Sequence, residues 1–278
     1  MNINSIKVAL AQISPILGNV ELNLDKIIKN IKKAKDEECN MVIFPELSLT
    51  GYYIRDLVYD LAETIPGKSF NIIKESAIQN SLHVILGMPE RASPYSEIIY
   101  NSAVWIKPNG DYEVYRKIYL PTYRMFEEHK YFRNGSKPVF VDTEFGRFGL
   151  TICFDAFFPE LSRYLAIKGC HTIINISASP NPSRPYFETI LKARALENTV
   201  NVIYVNMTGV QEGVNFWGGS FAYTSRGEII ANCKYYEEDF VTFKIHLDEL
   251  IGSKKNRPVL KHLNKDIFKL CYDALANE

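Results

Sequence analysis

An α/β fold, one domain with a mixed sheet or a pair of sheets covered by helices, is predicted by three observations. Continuous apolar runs of strand length recur along the chain, amphipathic stretches of helical spacing separate them, and no Pro, Gly or Ser linker or charge block divides the 278 residues. Hydrophobic residues at 46% and charged residues at 23% supply a real core and argue against disorder.

The elements follow in order. IKVALAQI over residues 6–13 is apolar without alternation, which predicts a strand covered on both faces. Past a turn around Pro15 and Gly18, Leu24, Ile27, Ile28, Ile31 and Ala34 recur at helical spacing with Lys and Asp between them. A strand over 41–44 runs into Pro45 and Glu46; a helix near 68–79, a strand over 83–88 and a strand over 102–107 continue the rhythm. Pro108-Asn109-Gly110 turns the chain into YEVYRKIYL from Tyr112. Residues 117–132 break the pattern with an irregular, charged and aromatic segment, and long irregular segments inside a domain are often functional. The second half repeats strand, helix, strand: a strand over 148–152, a helix bearing Leu161, Tyr164, Leu165 and Ile167, and a strand over 172–176. An approximate symmetry between the halves is expected. A turn-rich loop over 177–185, a helix marked by Phe187, Ile190, Leu191 and Arg194, the strand VNVIYVNM and a hairpin turning at Arg226-Gly227 complete residues 1–260. From 261 to 278 the periodicity weakens to a tail, expected to pack on the domain or on a neighbouring subunit.

Charge and composition exclude several classes. Lys plus Arg and Asp plus Glu both number 32, so no net field draws nucleic acid or an anionic membrane. The first residues lack a basic and apolar leader and no run is long enough to span a bilayer, so a cytoplasmic location is expected. The five cysteines are widely spaced and odd in number, against a disulfide framework, and no C-x-x-C or H-E-x-x-H offers a metal site. The Gly-rich phosphate loops are missing too. The expected partner is a small molecule or another protein.

Three strand ends carry chemistry. In GLTICFDAFFPE, residues 149–160, Cys153 stands where a buried strand stops and Pro159 can open a helix. A sharp strand-to-helix turn pushes the sulfur out of the sheet, and a nearby helix N-terminus favours thiolate, which makes Cys153 a candidate nucleophile. A small buried hydrophobe is the alternative. Glu46 follows MVIFP, and a carboxylate there is costly to bury unless paired. Lys117 in YRKIYLP supplies the pair, and Glu128 can anchor its ammonium. Cys153 would attack an amide-like carbon, Glu46 would shuttle protons, and Lys117 with the Phe154 N–H would hold the oxyanion. Two glutamates around one lysine leave one of them free to carry a proton.

On these residues the sequence resembles the nitrilase, or carbon–nitrogen hydrolase, superfamily. FPELSLTGY carries the Glu46 motif, RKIYLPTYRMFEEHKYF the Lys117 motif and GLTICFDAFFPE the Cys153 motif. The resemblance runs from Lys7 to the RPVLKHL segment at Arg257 and implies a four-layer αββα sandwich, no cofactor and a homodimer or larger homo-oligomer. It also implies a Cys-Glu-Lys triad with a second glutamate, best matched by Glu128, with Glu127 the alternative. Phe154-Asp155 after the cysteine is similar to amidases rather than to true nitrilases, and Phe157 replaces an arginine common at its position, pointing to a less anionic substrate. Other segments, among them FPELSLTGYYIRDL and VNMTGVQEGVNFWGGSF, are similar to the glutaminase part of glutamine-dependent NAD synthetases. The resulting expectation is an amidohydrolase acting on a small linear carboxamide through a Cys153 thioester, with Tyr123, Phe154, Phe157 and Ser179 as substrate contacts. A glutaminase subunit, a nitrilase or carbamoylase, and a silent scaffold are the alternatives.

Overall fold

The computed structural model describes residues 5–276. Strand β1 (Ser5–Gln12), helix α1 (Val20–Asp36), strand β2 (Met41–Ile43), short helix α2 (Val58–Leu61), helix α3 (Lys68–Asn80) and strands β3 (His83–Arg91), β4 (Ile99–Ile106) and β5 (Tyr112–Arg116) form the first half. One helical turn, α4 (Glu128–Tyr131), interrupts the irregular segment before β6 (Phe140–Thr143), β7 (Gly146–Ile152), α5 (Pro159–Ile167), β8 (Thr172–Ser177), α6 (Arg184–Asn198) and β9 (Asn201–Asn206). A small hairpin, β10 (Thr208–Gln211) and β11 (Val214–Trp217), precedes β12 (Phe221–Tyr223), β13 (Ile229–Asn232), β14 (Asp239–His246), α7 (Leu247–Asn256) and α8 (Lys265–Ala276).

The strands form two six-stranded mixed sheets, ordered β14-β1-β2-β3-β4-β5 and β6-β7-β8-β9-β12-β13. Followed in those directions, both show the same pairings in turn: antiparallel, parallel, parallel, antiparallel, antiparallel. The symmetry expected between the halves is therefore present in the topology.

Side-chain alternation along β1 explains the layers. Ile6, Val8 and Leu10 face the second sheet, in one cluster with Phe148, Leu150 and Ile152 of β7. Ala9 and Ala11 face the other way, onto Ile27, Ile31 and Ala34 of α1 and Phe70, Ile73 and Ala77 of α3. Leu165 of α5 and Phe187 and Leu191 of α6 cover the outer face of the second sheet. The result is an α/β sandwich with helices outside and sheets inside, and strands buried on both faces read as unbroken apolar runs. Asn19 starts α1 by accepting a hydrogen bond from the Leu22 N–H at 3.1 Å.

The sequence reading leaves out β6, the β10–β11 hairpin, β14 and α7. β14 pairs antiparallel with β1 over all eight residues and so returns the chain to its start. Its half-buried residues carry no continuous apolar run. Where the sequence predicts weakening periodicity, α8 is a regular amphipathic helix with no buried residue, and Ile267, Phe268, Leu270, Tyr272 and Leu275 on it are exposed. Among the described residues no helix is long and apolar enough to cross a membrane.

Candidate active site

Each of the three strand ends is shaped by a close backbone approach or a left-handed residue. Beyond β2, Leu47 has φ +47°, and the chain carrying Glu46 lies directly on Gly87 of β3. A Cβ at Gly87 would stand 2.4 Å from the Leu47 nitrogen and 2.6 Å from Glu46 Cα, so only glycine allows the contact. Beyond β5, Lys117 donates its backbone N–H to the Asn101 carbonyl at 2.9 Å and accepts from the Gly135 N–H at 2.7 Å. Beyond β7, Cys153 has φ +46° and opens a tight 3₁₀ turn, residues Cys153–Phe157, with Pro159 starting α5 after it. A non-glycine residue in left-handed backbone costs energy that the surrounding contacts must offset. Asp155 supplies much of the offset, accepting from the Ile152 N–H at 2.8 Å, the Tyr119 N–H at 3.0 Å and the Tyr115 hydroxyl at 2.7 Å. Those bonds tie the cysteine turn to the segment that carries Lys117. Burial pushes the Asp155 carboxyl up to about 6.

The side chains converge. Lys117 Nζ lies 2.7 Å from Glu46 Oε1 and 2.7 Å from Glu128 Oε1, with all three side chains buried. Glu46 also accepts from Asn101 Nδ2 at Oε1 and from the Ala178 N–H at Oε2, both at 2.7 Å. Tyr52 donates to Glu128 Oε1 at 2.7 Å, and Glu128 Oε2 is buried without a partner among the described residues. Burial works against the Lys117 charge, but Glu128 and Glu46 outweigh it and raise the ammonium above its ordinary range. Burial, helped by the Glu46 charge and opposed by Lys117, pushes the Glu128 carboxyl up to about 7. The cluster therefore holds one fixed cation, one carboxylate and one carboxyl poised to share a proton near neutrality.

Cys153 is buried and within electrostatic reach of Lys117 and both glutamates. Here the structure corrects the expectation of a ready thiolate. Burial and the charges of Glu46 and Glu128 raise the Cys153 pKa well above its usual value, and Lys117 offsets them only in part. A thiol beside a carboxylate suits proton transfer during attack rather than a preformed anion.

The sulfur opens on a cavity of about 190 Å³. All four residues expected to contact substrate, Tyr123, Phe154, Phe157 and Ser179, line it with Cys153. Of the two candidates for the second glutamate, Glu128 reaches Lys117, and Glu127 is exposed. Among the described residues no group of three or more His, Cys, Asp or Glu is gathered that could hold a metal ion.

The carbon–nitrogen hydrolase family model matches residues 7–255. The chain belongs to this family. As a carbon–nitrogen hydrolase, it is 30% identical over 253 residues to a probable nitrilase of Schizosaccharomyces pombe, covering 90% of this chain and 92% of that protein. It is 33% identical over 250 residues to the glutamine-dependent NAD(+) synthetase of Aquifex aeolicus, covering 88% of this chain but 43% of that protein, so it spans less than half of that relative. The crystal structure of a carbon–nitrogen hydrolase from Helicobacter pylori superposes with a TM-score of 0.89 at 23% identity, over 97% of this chain and 98% of that one, a likeness in fold alone.

Sequence reasoning missed four supports of the site: Asn101 and the Ala178 N–H on Glu46, Tyr52 on Glu128, and Asp155 under the cysteine turn. Two signals were available. An asparagine within the apolar run of β4 and an aspartate two residues past the cysteine are both costly to bury without partners.

Proposed function

We propose that the protein hydrolyses a small linear carboxamide, releasing the acid and ammonia or an amine, through a thioester on Cys153. Glu46 takes the Cys153 proton as the sulfur attacks the amide carbon, and the carbonyl oxygen becomes an oxyanion held by Lys117 and the Phe154 N–H. The C–N bond then breaks, the departing nitrogen takes the proton from Glu46, and the acyl group stays on sulfur. Water, deprotonated by Glu46, attacks the thioester; the C–S bond breaks, the thiol regains its proton and the acid leaves. Glu128 keeps Lys117 in position and moderates the charge of the cluster.

The observation that carries the reading is Lys117 Nζ at 2.7 Å from both Glu46 and Glu128 in a buried cluster acting on Cys153. The test is ammonia release from a panel of primary amides by wild-type protein and by Cys153→Ala. Turnover by wild type, with an acyl adduct in its intact mass and neither turnover nor adduct in Cys153→Ala, is the expected result; undiminished turnover by the variant removes the proposal. A second reading, an ammonia-supplying glutaminase, is favoured by the likeness to NAD(+) synthetase. Self-association belongs to the same proposal and is supported by the exposed apolar side chains of α8.

A further inference from the structure

The wall of the cavity above Cys153 is a continuous run of aromatic rings. Phe126 lies 5.3 Å from Tyr123 between centroids, Tyr123 5.6 Å from Phe154, Phe154 5.3 Å from Phe157, and Phe157 5.3 Å from Phe187 in an edge-on contact. All five line the cavity. The rings come from three separate parts of the chain: the irregular segment before α4, the cysteine turn and α6. Each ring is braced by the next, so the wall is preformed.

Charge is nearly absent from the same surface. Among the described residues Arg124 is the one ionised side chain of the lining, and it is exposed. Among the described residues no carboxylate lines the cavity. Glu46 and Glu128, behind the sulfur, are both bonded to Lys117, and Glu127 lines a separate small hollow with Tyr53 and Arg55. An ammonium entering the cavity would lose its water and find no anion to replace it. A carboxylate could reach only the exposed guanidinium of Arg124, where water screens the pairing. Apolar carbon loses nothing by entering and gains contact with the rings.

Size narrows the fit. An apolar cavity of roughly 150 Å³ takes up benzene. This one, at about 190 Å³ with Cys153 in its lining, has room for a six-carbon ring or chain whose carboxamide meets the sulfur.

We infer that the substrate is a primary amide of an uncharged, apolar acyl group of about six or seven carbons, aryl or alkyl, and not an amino-acid amide or a dicarboxylic monoamide. This rests on the amidohydrolase reading above and goes beyond it by choosing among amides. It disfavours the glutaminase alternative, because the ammonium of glutamine has no partner in the cavity.

The test uses five amides with wild-type protein: benzamide, hexanamide, acetamide, L-glutamine and glutaramate. Benzamide and hexanamide are expected to show kcat/KM at least about tenfold above the other three, in keeping with what one or more buried methylenes discriminate. Each is also titrated into Cys153→Ala by calorimetry, where benzamide binds and L-glutamine does not. Turnover of L-glutamine or glutaramate as fast as benzamide overturns the inference and leaves the hydrolase reading intact. Binding of benzamide in preference to L-glutamine, with no ammonia from any amide and wild-type protein, overturns the hydrolase reading and leaves the apolar preference of the cavity standing. Equal turnover of acetamide and hexanamide also overturns the inference, because it means the acyl chain never meets the aromatic wall.

Discussion

Counterpart strands of the two sheets end in the same region with different contents. β7 stops at Cys153 in left-handed backbone, whereas β1, its counterpart, stops at Gln12, whose side chain bonds the Lys234 and Glu237 carbonyls and accepts from Ser220. β5 delivers Lys117 to two carboxylates, whereas β13 delivers Cys233, a buried thiol that burial pushes up to about 12. β2 leads to Glu46 and β8 to Ala178, and here the halves meet, because the Ala178 N–H donates to Glu46. A repeated topology thus supplies matched strand ends, and one of each pair bears a reactive group while the other serves packing or hydrogen bonding. Glu46 leans on the end of its counterpart strand, so the site belongs to neither half alone.

The sharpest way to break this comparison is at the β5 and β13 ends. Lys117→Met leaves Glu46 and Glu128 buried without their cation, and breaking such a pairing costs about 3–5 kcal/mol. The variant is expected to lose that much in urea denaturation and to release no ammonia from any amide. Cys233→Ala, at the matching position, is expected to cost only about 1 kcal/mol, near the ordinary value for a single substitution, and to keep its turnover. Similar losses from both would mean that the two ends are not functionally distinct.

Two glycines sharpen it further. At Gly87 an added methyl meets fixed backbone, the Leu47 nitrogen at 2.4 Å, and must displace Glu46. At Gly149 of β7 the nearest atom is Leu165 Cδ1 at 2.8 Å, the far end of a side chain that can move. Gly87→Ala is therefore expected to lower kcat about 100-fold, since misplacement by about 1 Å is enough for that. Gly149→Ala is expected to cost about 1–3 kcal/mol of overpacking and to keep kcat within about tenfold. Steady-state kinetics and thermal unfolding of the two variants measure the contrast.

What could be read from the sequence follows the same division. Glu46 and Cys153 were visible because each stands after an apolar run, where a polar or reactive residue has no reason to be unless something meets it, and Lys117 because a carboxylate so placed calls for a cation. Tyr52 was not, because its partner Glu128 lies 76 positions away, and Asn101 and Asp155 showed locally only that a buried polar group needs a partner, not that the partners stand 55 and up to 40 positions away. The thiolate expected at Cys153 failed for that reason too. The helix opened by Pro159 is visible locally, but a 3₁₀ turn intervenes, and the carboxylates that oppose thiol ionisation come from distant segments. The aromatic wall was legible only in part. Phe154, Phe157 and Tyr123 were named as contacts, whereas Phe126 and Phe187 join them only through the fold. β14 escaped because its half-buried residues mix Asp and Thr with apolar ones and an exposed Lys follows.

The smallest expected effect bears on the proton shared in the cluster. Below about pH 7 the Glu128 carboxyl is neutral, and Lys117 with Glu46 sums to no net charge. As pH rises through that value Glu128 ionises, and a second negative charge beside Cys153 opposes both thiol ionisation and the developing oxyanion. With an amide that is turned over, kcat/KM should therefore fall as pH rises through about 7. The Tyr52 hydroxyl donates to Glu128 and favours its charged form. Removing that donor in Tyr52→Phe raises the Glu128 pKa, so the falling limb moves to higher pH, by less than about one unit for a single hydrogen bond. Tyr53→Phe is the control one residue along: Tyr53 stands edge-on to Tyr52, and its hydroxyl meets the Met125 carbonyl at 3.5 Å rather than Glu128. Loss of the limb in Glu128→Gln, with a rightward shift in Tyr52→Phe and none in Tyr53→Phe, assigns the proton to Glu128. A limb that persists in Glu128→Gln transfers it to another group and removes the charge argument.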